Sequence, residues 1–206
     1  MRTPPQILLW LLLIAAAIVG PPLAGSTQLA EDWTRQTVRV SLLFYAVAAF
    51  VMLGLTPHDW AGRRGHDVRI AWSLAWAAYI VHLGFAAEFH GYSHAAAIEH
   101  TAQRTGGYGH GIFVSHLFTL IWTLDLLWWW WWPRGYAERP LALGIAWHAF
   151  AAFLWFNATV VYETGLIRAV GLATFAVLGL RLLVGLYSGW SRNGPTTDSS
   201  AVAHRA

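Results

Sequence analysis

The sequence predicts an all-α, polytopic integral membrane bundle, and three observations carry that prediction. Hydrophobic residues make up 57% of the 206-residue chain and charged residues only 11%, whereas a soluble domain carries roughly 25% charged residues. The charges fall in short clusters between long apolar runs, the pattern of a chain that crosses a bilayer repeatedly. No segment alternates polar and apolar residues over a strand length, which disfavours a β-barrel.

The first apolar run, "ILLWLLLIAAAIVG" at 7–20, stops at Pro21 and Pro22. Helical rise gives it a reach of about 21 Å, short of the roughly 30 Å hydrocarbon core. Two readings stay open: residues 1–25 are a cleaved signal peptide, or a first spanning helix that continues through a proline kink. Further spans are predicted at 37–56, 69–90, 111–132 and 141–162, with a last from about 166 to 187. The bundle therefore has six transmembrane helices, or five after cleavage. Residues 26–190 form one bundle domain. The polar segment "SRNGPTTDSSAVAHRA" at 191–206 reads as a disordered cytoplasmic tail.

Between the third and fourth spans the sequence predicts a short extramembrane helix near 93–104. Ser93 suits its N-cap, "HAAAIEHTAQR" favours helix, and Thr105-Gly106-Gly107 stops it.

Arginine placement orients the chain. All thirteen basic residues are arginine. With the 57–69 loop inside, the cytoplasmic side collects nine of them and the outer side keeps Arg35, Arg39, Arg104 and Arg168. That bias predicts a bacterial-type inner membrane, a cytoplasmic C-terminus and a periplasmic histidine-rich connection. The arginines form no stripe and no nucleic-acid-binding motif accompanies them, so lipid, not nucleic acid, is the expected partner. The absence of cysteine excludes disulfides and thiolate metal sites. No GxSxG, HExxH or complete P-loop occurs, so no enzyme class is marked. The five tryptophans at 128–132 read as interfacial anchors. The sequon at Asn157 falls inside a span.

An ionisable side chain in lipid costs at least roughly 2.5–3.5 kcal/mol for Asp or Arg, so each one requires a partner or a purpose. An inner polar set comprises Asp125, His148 and Arg181, with Asp125 and Arg181 positioned to pair across the bundle. The outer set is richer: five of ten histidines fall within 88–116. Candidate metal ligands are His82, His90, His94 and His116, followed by His100 and His110. Glu88, Glu99 and Asn157 are carboxylate ligands or supporting hydrogen-bond partners. A helix running through Gly91 would place His90 and His94 on one face, the spacing by which two histidines share a metal. Imidazole and carboxylate without sulfur suit iron, copper or zinc. Two imidazoles from neighbouring helices would instead clamp haem b. The function expected is electron transfer or oxidoreductase chemistry with a membrane or periplasmic redox partner. The alternative is a non-enzymatic small transporter or assembly scaffold with structural histidines.

Overall fold

A computed structural model of the chain describes residues 5–56 and 58–192. Its helices, in chain order, are α1 (Pro5–Leu23), α2 (Leu29–Met52), α3 (Arg63–Phe89), α4 (His94–Arg104), α5 (Gly111–Trp131), α6 (Pro133–Ala137), α7 (Leu141–Phe156) and α8 (Gly165–Arg192). A π-helical turn, Asn157–Val161, extends α7. Among the described residues there is no strand, and six helices are long and apolar enough to cross a membrane. The protein is a multi-pass, all-α membrane bundle. Two short helices, α4 and α6, join spans at opposite ends and name those ends below. The tail at 191–206 lies outside the described residues beyond Arg192, and the first two of its residues continue α8.

Helix α1 keeps its form through Pro21 and Pro22 and reaches 19 residues, about 28 Å. Proline at position 22 leaves the carbonyl four residues earlier without its helical donor. That carbonyl belongs to Ile18, and the Trp33 indole of α2 donates to it at 2.8 Å. The Trp10 indole likewise donates to the Leu74 carbonyl of α3 at 2.8 Å. The two bonds fasten α1 to both neighbouring helices.

Both α2 and α3 begin earlier than the apolar pattern predicts, at Leu29 and Arg63 instead of 37 and 69. Polarity hid the first turns of α2. There Glu31 and Asp32 favour the positive helix N-terminus, and Glu31 pairs with Arg35 at 2.5 Å. Farther along, α2 and α3 approach through small residues, since Ser41, Ala48, Ala75 and Ala78 are fully buried. Ser41 Oγ donates to the Ala75 carbonyl at 2.8 Å. In lipid, contact between such small residues is what holds helices together, because the tails outside are as apolar as the core.

The centre of the bundle is aromatic. Trp72 and Trp122 are fully buried, with ring centroids 4.9 Å apart, and Tyr45, Tyr79, Phe118 and Trp155 close around them. The tryptophan run divides by helical position. Trp131 and Trp132 are 80% and 63% exposed, as interfacial anchors are. Trp129 points inward, fully buried, and stacks on Tyr136 at 4.6 Å. One run thus supplies both an interface girdle and a piece of core.

Candidate functional site

At the α4 end the chain reverses between α3 and α4. Gly91 and Tyr92 both adopt positive φ, 58° and 56°, which ends α3 at Phe89 instead of carrying the helix through Gly91. The shared helical face expected for His90 and His94 does not form. Ser93 then caps α4 as predicted, its Oγ accepting from the Ala96 amide at 3.2 Å. The stop at Thr105-Gly106-Gly107 also holds, with both glycines at positive φ. Arg104 pins the far end of α4, its Nη2 lying 3.1 Å from Glu163 Oε1 and 3.3 Å from the Tyr162 carbonyl.

This geometry sorts the outer histidines into two pairs. The His90 and His100 rings lie 5.1 Å apart, tilted by 58°, with Phe89 packed against both. The His94 and His116 rings lie 5.4 Å apart and nearly parallel, at 21°. Phe113 touches His94, His116 and His110. Both members of the first pair are half-buried, whereas His94, His110 and His116 are exposed. Burial, and then the neighbouring His100, hold the His90 imidazole below its ordinary pKa, so it is neutral at pH 7.

The remaining outer residues lie apart from these pairs. His82 Nδ1 sits 2.9 Å from the Thr34 carbonyl of α2, and its ring neighbours Tyr79. Thr34 Oγ1 is itself turned onto the Ala30 carbonyl. Glu88 and Glu99 are exposed. Asn157 Nδ2 donates to the Phe153 carbonyl of its own helix at 2.7 Å. Among the described residues no group of three or more His, Cys, Asp or Glu side chains is placed to hold a metal ion.

At the α6 end, Asp125 accepts from the Trp72 indole at 3.0 Å and from the Tyr136 hydroxyl at 2.9 Å. The expected Asp125–Arg181 pairing does not occur. Arg181 instead lays its guanidinium over the Phe50 ring, 5.6 Å away, and against Gly54. Helix α8 packs on α2 at the rim of the bundle, which leaves the interior carboxylate to indole and phenol donors. His148 sits edge-on to Trp72 at 5.7 Å, and its Nε2 is buried without a hydrogen-bond partner. The aromatic block around Trp122 lies between the two polar ends, beside the hydroxyls of Tyr79, Thr119 and Thr123.

Sequence reasoning passed over three residues here. Tyr136 and Trp72 carry no mark beyond being aromatic. Arg69 looked like an interfacial charge, yet it is buried: its Nη1 donates to the Trp129 carbonyl at 2.7 Å and its guanidinium lies 4.2 Å over Trp130. The signal that was available is its position one helical turn before Trp72, on the face that meets α5.

Tyr136 yields a pH prediction. Burial, and then the Asp125 carboxylate, hold its phenol well above the ordinary value, against the opposing pull of Arg139. The unfolded chain ionises first as pH rises past about 10, so stability present below that point is lost above it. One proton corresponds to about 1.4 kcal/mol per pH unit. Tyr136→Phe should flatten the decline in stability between about pH 10 and 11.5 by up to that slope, read from thermal melts in detergent. An unchanged slope would show that Tyr136 does not titrate against a buried neighbour.

The chain matches no family model, no curated protein and no solved structure. The functional reading therefore rests on the geometry above.

Proposed function

We propose that this multi-pass membrane protein holds an exchangeable transition-metal ion between His90 and His100. The observation that supports it is their 5.1 Å ring separation. Metal–nitrogen bonds of 2.0–2.1 Å, plus about 1.1 Å from nitrogen to ring centre, put two imidazoles on one tetrahedral ion about 5.2 Å apart. The His94 and His116 rings lie farther apart, at 5.4 Å, and stack nearly parallel. The 5.1 Å spacing of His90 and His100 favours an ion over haem b. Axial imidazoles lie on opposite sides of the iron, with centres roughly 6 Å apart and the macrocycle between them.

Two protein ligands leave the ion with open positions for water or an outside ligand. That suits an ion which is exchanged or reacts, since structural zinc sites are closed by four protein ligands. Copper or iron held here would serve electron transfer or an oxidoreductase reaction with a membrane or periplasmic partner, and zinc would serve metal hand-off. The arginine bias supports placing the α4 end on the periplasmic side of a bacterial-type inner membrane.

The test is titration of the detergent-purified chain with Cu2+ and Zn2+, with metal analysis and an absorption spectrum on the same sample. About one ion per chain should bind, and the double variant His90→Ala/His100→Ala should weaken binding at least about tenfold, because neutral imidazole is the ligand each change removes. Glu99→Gln should leave it unchanged. Equal binding by the double variant, or no stoichiometric ion in the wild type, would defeat the reading. A Soret band would replace it with haem.

A further inference from the structure

A groove of about 550 Å³ runs between α1 and α2, away from every histidine pair. Its apolar wall includes Leu13, Ala17 and Gly20 of α1, and its polar wall is a single stripe of α2: Asp32, Gln36 and Arg39. These are positions i, i+4 and i+7, so they share a helix face. Arg39 is the eleventh residue of α2, about 15 Å along the helix from its start. It is exposed on the outside of the bundle, where the solvent is lipid.

Arg39 stands near the outer boundary of the span predicted from residue 37, and no ion pair among the described residues includes it. Its Nη1 donates to the Gln36 amide oxygen at 3.2 Å. Arg35, by contrast, is satisfied by Glu31. The bond to Gln36 also gives the direction in which Arg39 bends, toward the helix N-terminus and the α4 end, as a snorkelling side chain does. Its guanidinium therefore rises toward Asp32. The Asp32 Oδ2 accepts from Ser26 Oγ at 2.6 Å, and the carboxylate lines the groove.

We infer that this groove is a binding site for a phospholipid whose headgroup carries both a phosphate and an ammonium. The phosphate pairs with Arg39, whose planar fork matches phosphate oxygens. The ammonium meets Asp32 one to two turns nearer the membrane surface, and an acyl chain lies along Leu13, Ala17 and Gly20. Phosphatidylglycerol carries the same phosphate charge but places a neutral glycerol where the ammonium would meet Asp32, which is the basis for selectivity.

Native mass spectrometry of the full chain, titrated with phosphatidylethanolamine or phosphatidylglycerol of matched acyl chains, tests this. Phosphatidylethanolamine should bind more tightly. Arg39→Leu should weaken it about tenfold, the scale of one charge-assisted phosphate contact, and Asp32→Asn should abolish the preference between the two lipids. Gly20→Phe supplies a second test that leaves the charges intact. A Cβ there meets nothing within 4 Å, so the ring enters the acyl slot from an unobstructed position on α1, and binding should fall by a similar factor. Equal affinity in Arg39→Leu, no phosphatidylethanolamine preference in the wild type, or one that survives Asp32→Asn, would overturn the assignment.

Discussion

Replacing Trp72 with alanine should destabilise the protein by about 3 kcal/mol, the lower end of the range for aromatic-to-alanine changes in a core. Trp72 is wholly buried, and its ring meets Tyr45, Trp122, Trp147 and His148. Within a bilayer the separated helices still contact lipid, so the transfer contribution shrinks and the cavity left behind dominates. The change also removes the Trp72 donor to Asp125, a carboxylate that accepts from the Tyr136 hydroxyl as well. Trp72→Phe keeps a six-membered aromatic ring but loses the N–H and part of the indole's volume, and should cost about 1–3 kcal/mol. Combining it with Asp125→Leu and Tyr136→Phe should recover part of that loss, because the carboxylate and the donors at 72 and 136 are then all apolar. Melting in detergent followed by size-exclusion profile reads all three variants. A Trp72→Ala protein as stable as the parent would mean that the aromatic centre does not hold the helices together.

That centre shows which parts of the molecule were legible. Length and hydropathy identify the spans, since a bilayer permits few alternatives for satisfying backbone groups. Local rules also located α4, because Ser93 and the Gly106-Gly107 pair act on their own neighbours. What failed were partnerships across the bundle. Asp125 and Arg181 sit at matching depths, but depth says nothing about which way a helix is turned. Indole and phenol groups took the carboxylate instead. At the histidines the failure was one residue wide. Gly91 invites a left-handed turn, but Tyr92 adopts one too without the freedom of glycine, and the two together redirect His90 from His94 to His100. Arg39 illustrates the converse. Its exposure on a spanning helix became meaningful only once the neighbouring helix supplied the other wall of a groove.

Gly109→Ala should lift α4 off the bundle and weaken the metal site without touching a histidine. A Cβ at this buried position would stand 2.6 Å from the Ile98 carbonyl oxygen and 2.8 Å from Ile98 Cγ2. The first of these is backbone inside α4, so no side-chain rotation relieves the clash, and the helix as a whole must move. Overpacking of this kind costs about 1–3 kcal/mol. Because His100 lies on α4 and His90 on the end of α3, the displacement opens their pair directly, and it separates His94 from His116 as well. Amide hydrogen exchange across 94–104 should accelerate, and Cu2+ or Zn2+ affinity should fall about tenfold, as expected when one of two ligands is pulled out of reach. Gly84→Ala is the matched control: its Cβ would meet nothing within 4 Å, and in mid-helix alanine is favoured over glycine by about 1 kcal/mol. If Gly109→Ala leaves both exchange and affinity where they were, α4 is not seated on the loop before α5, and the contact between His90 and His100 loses its support.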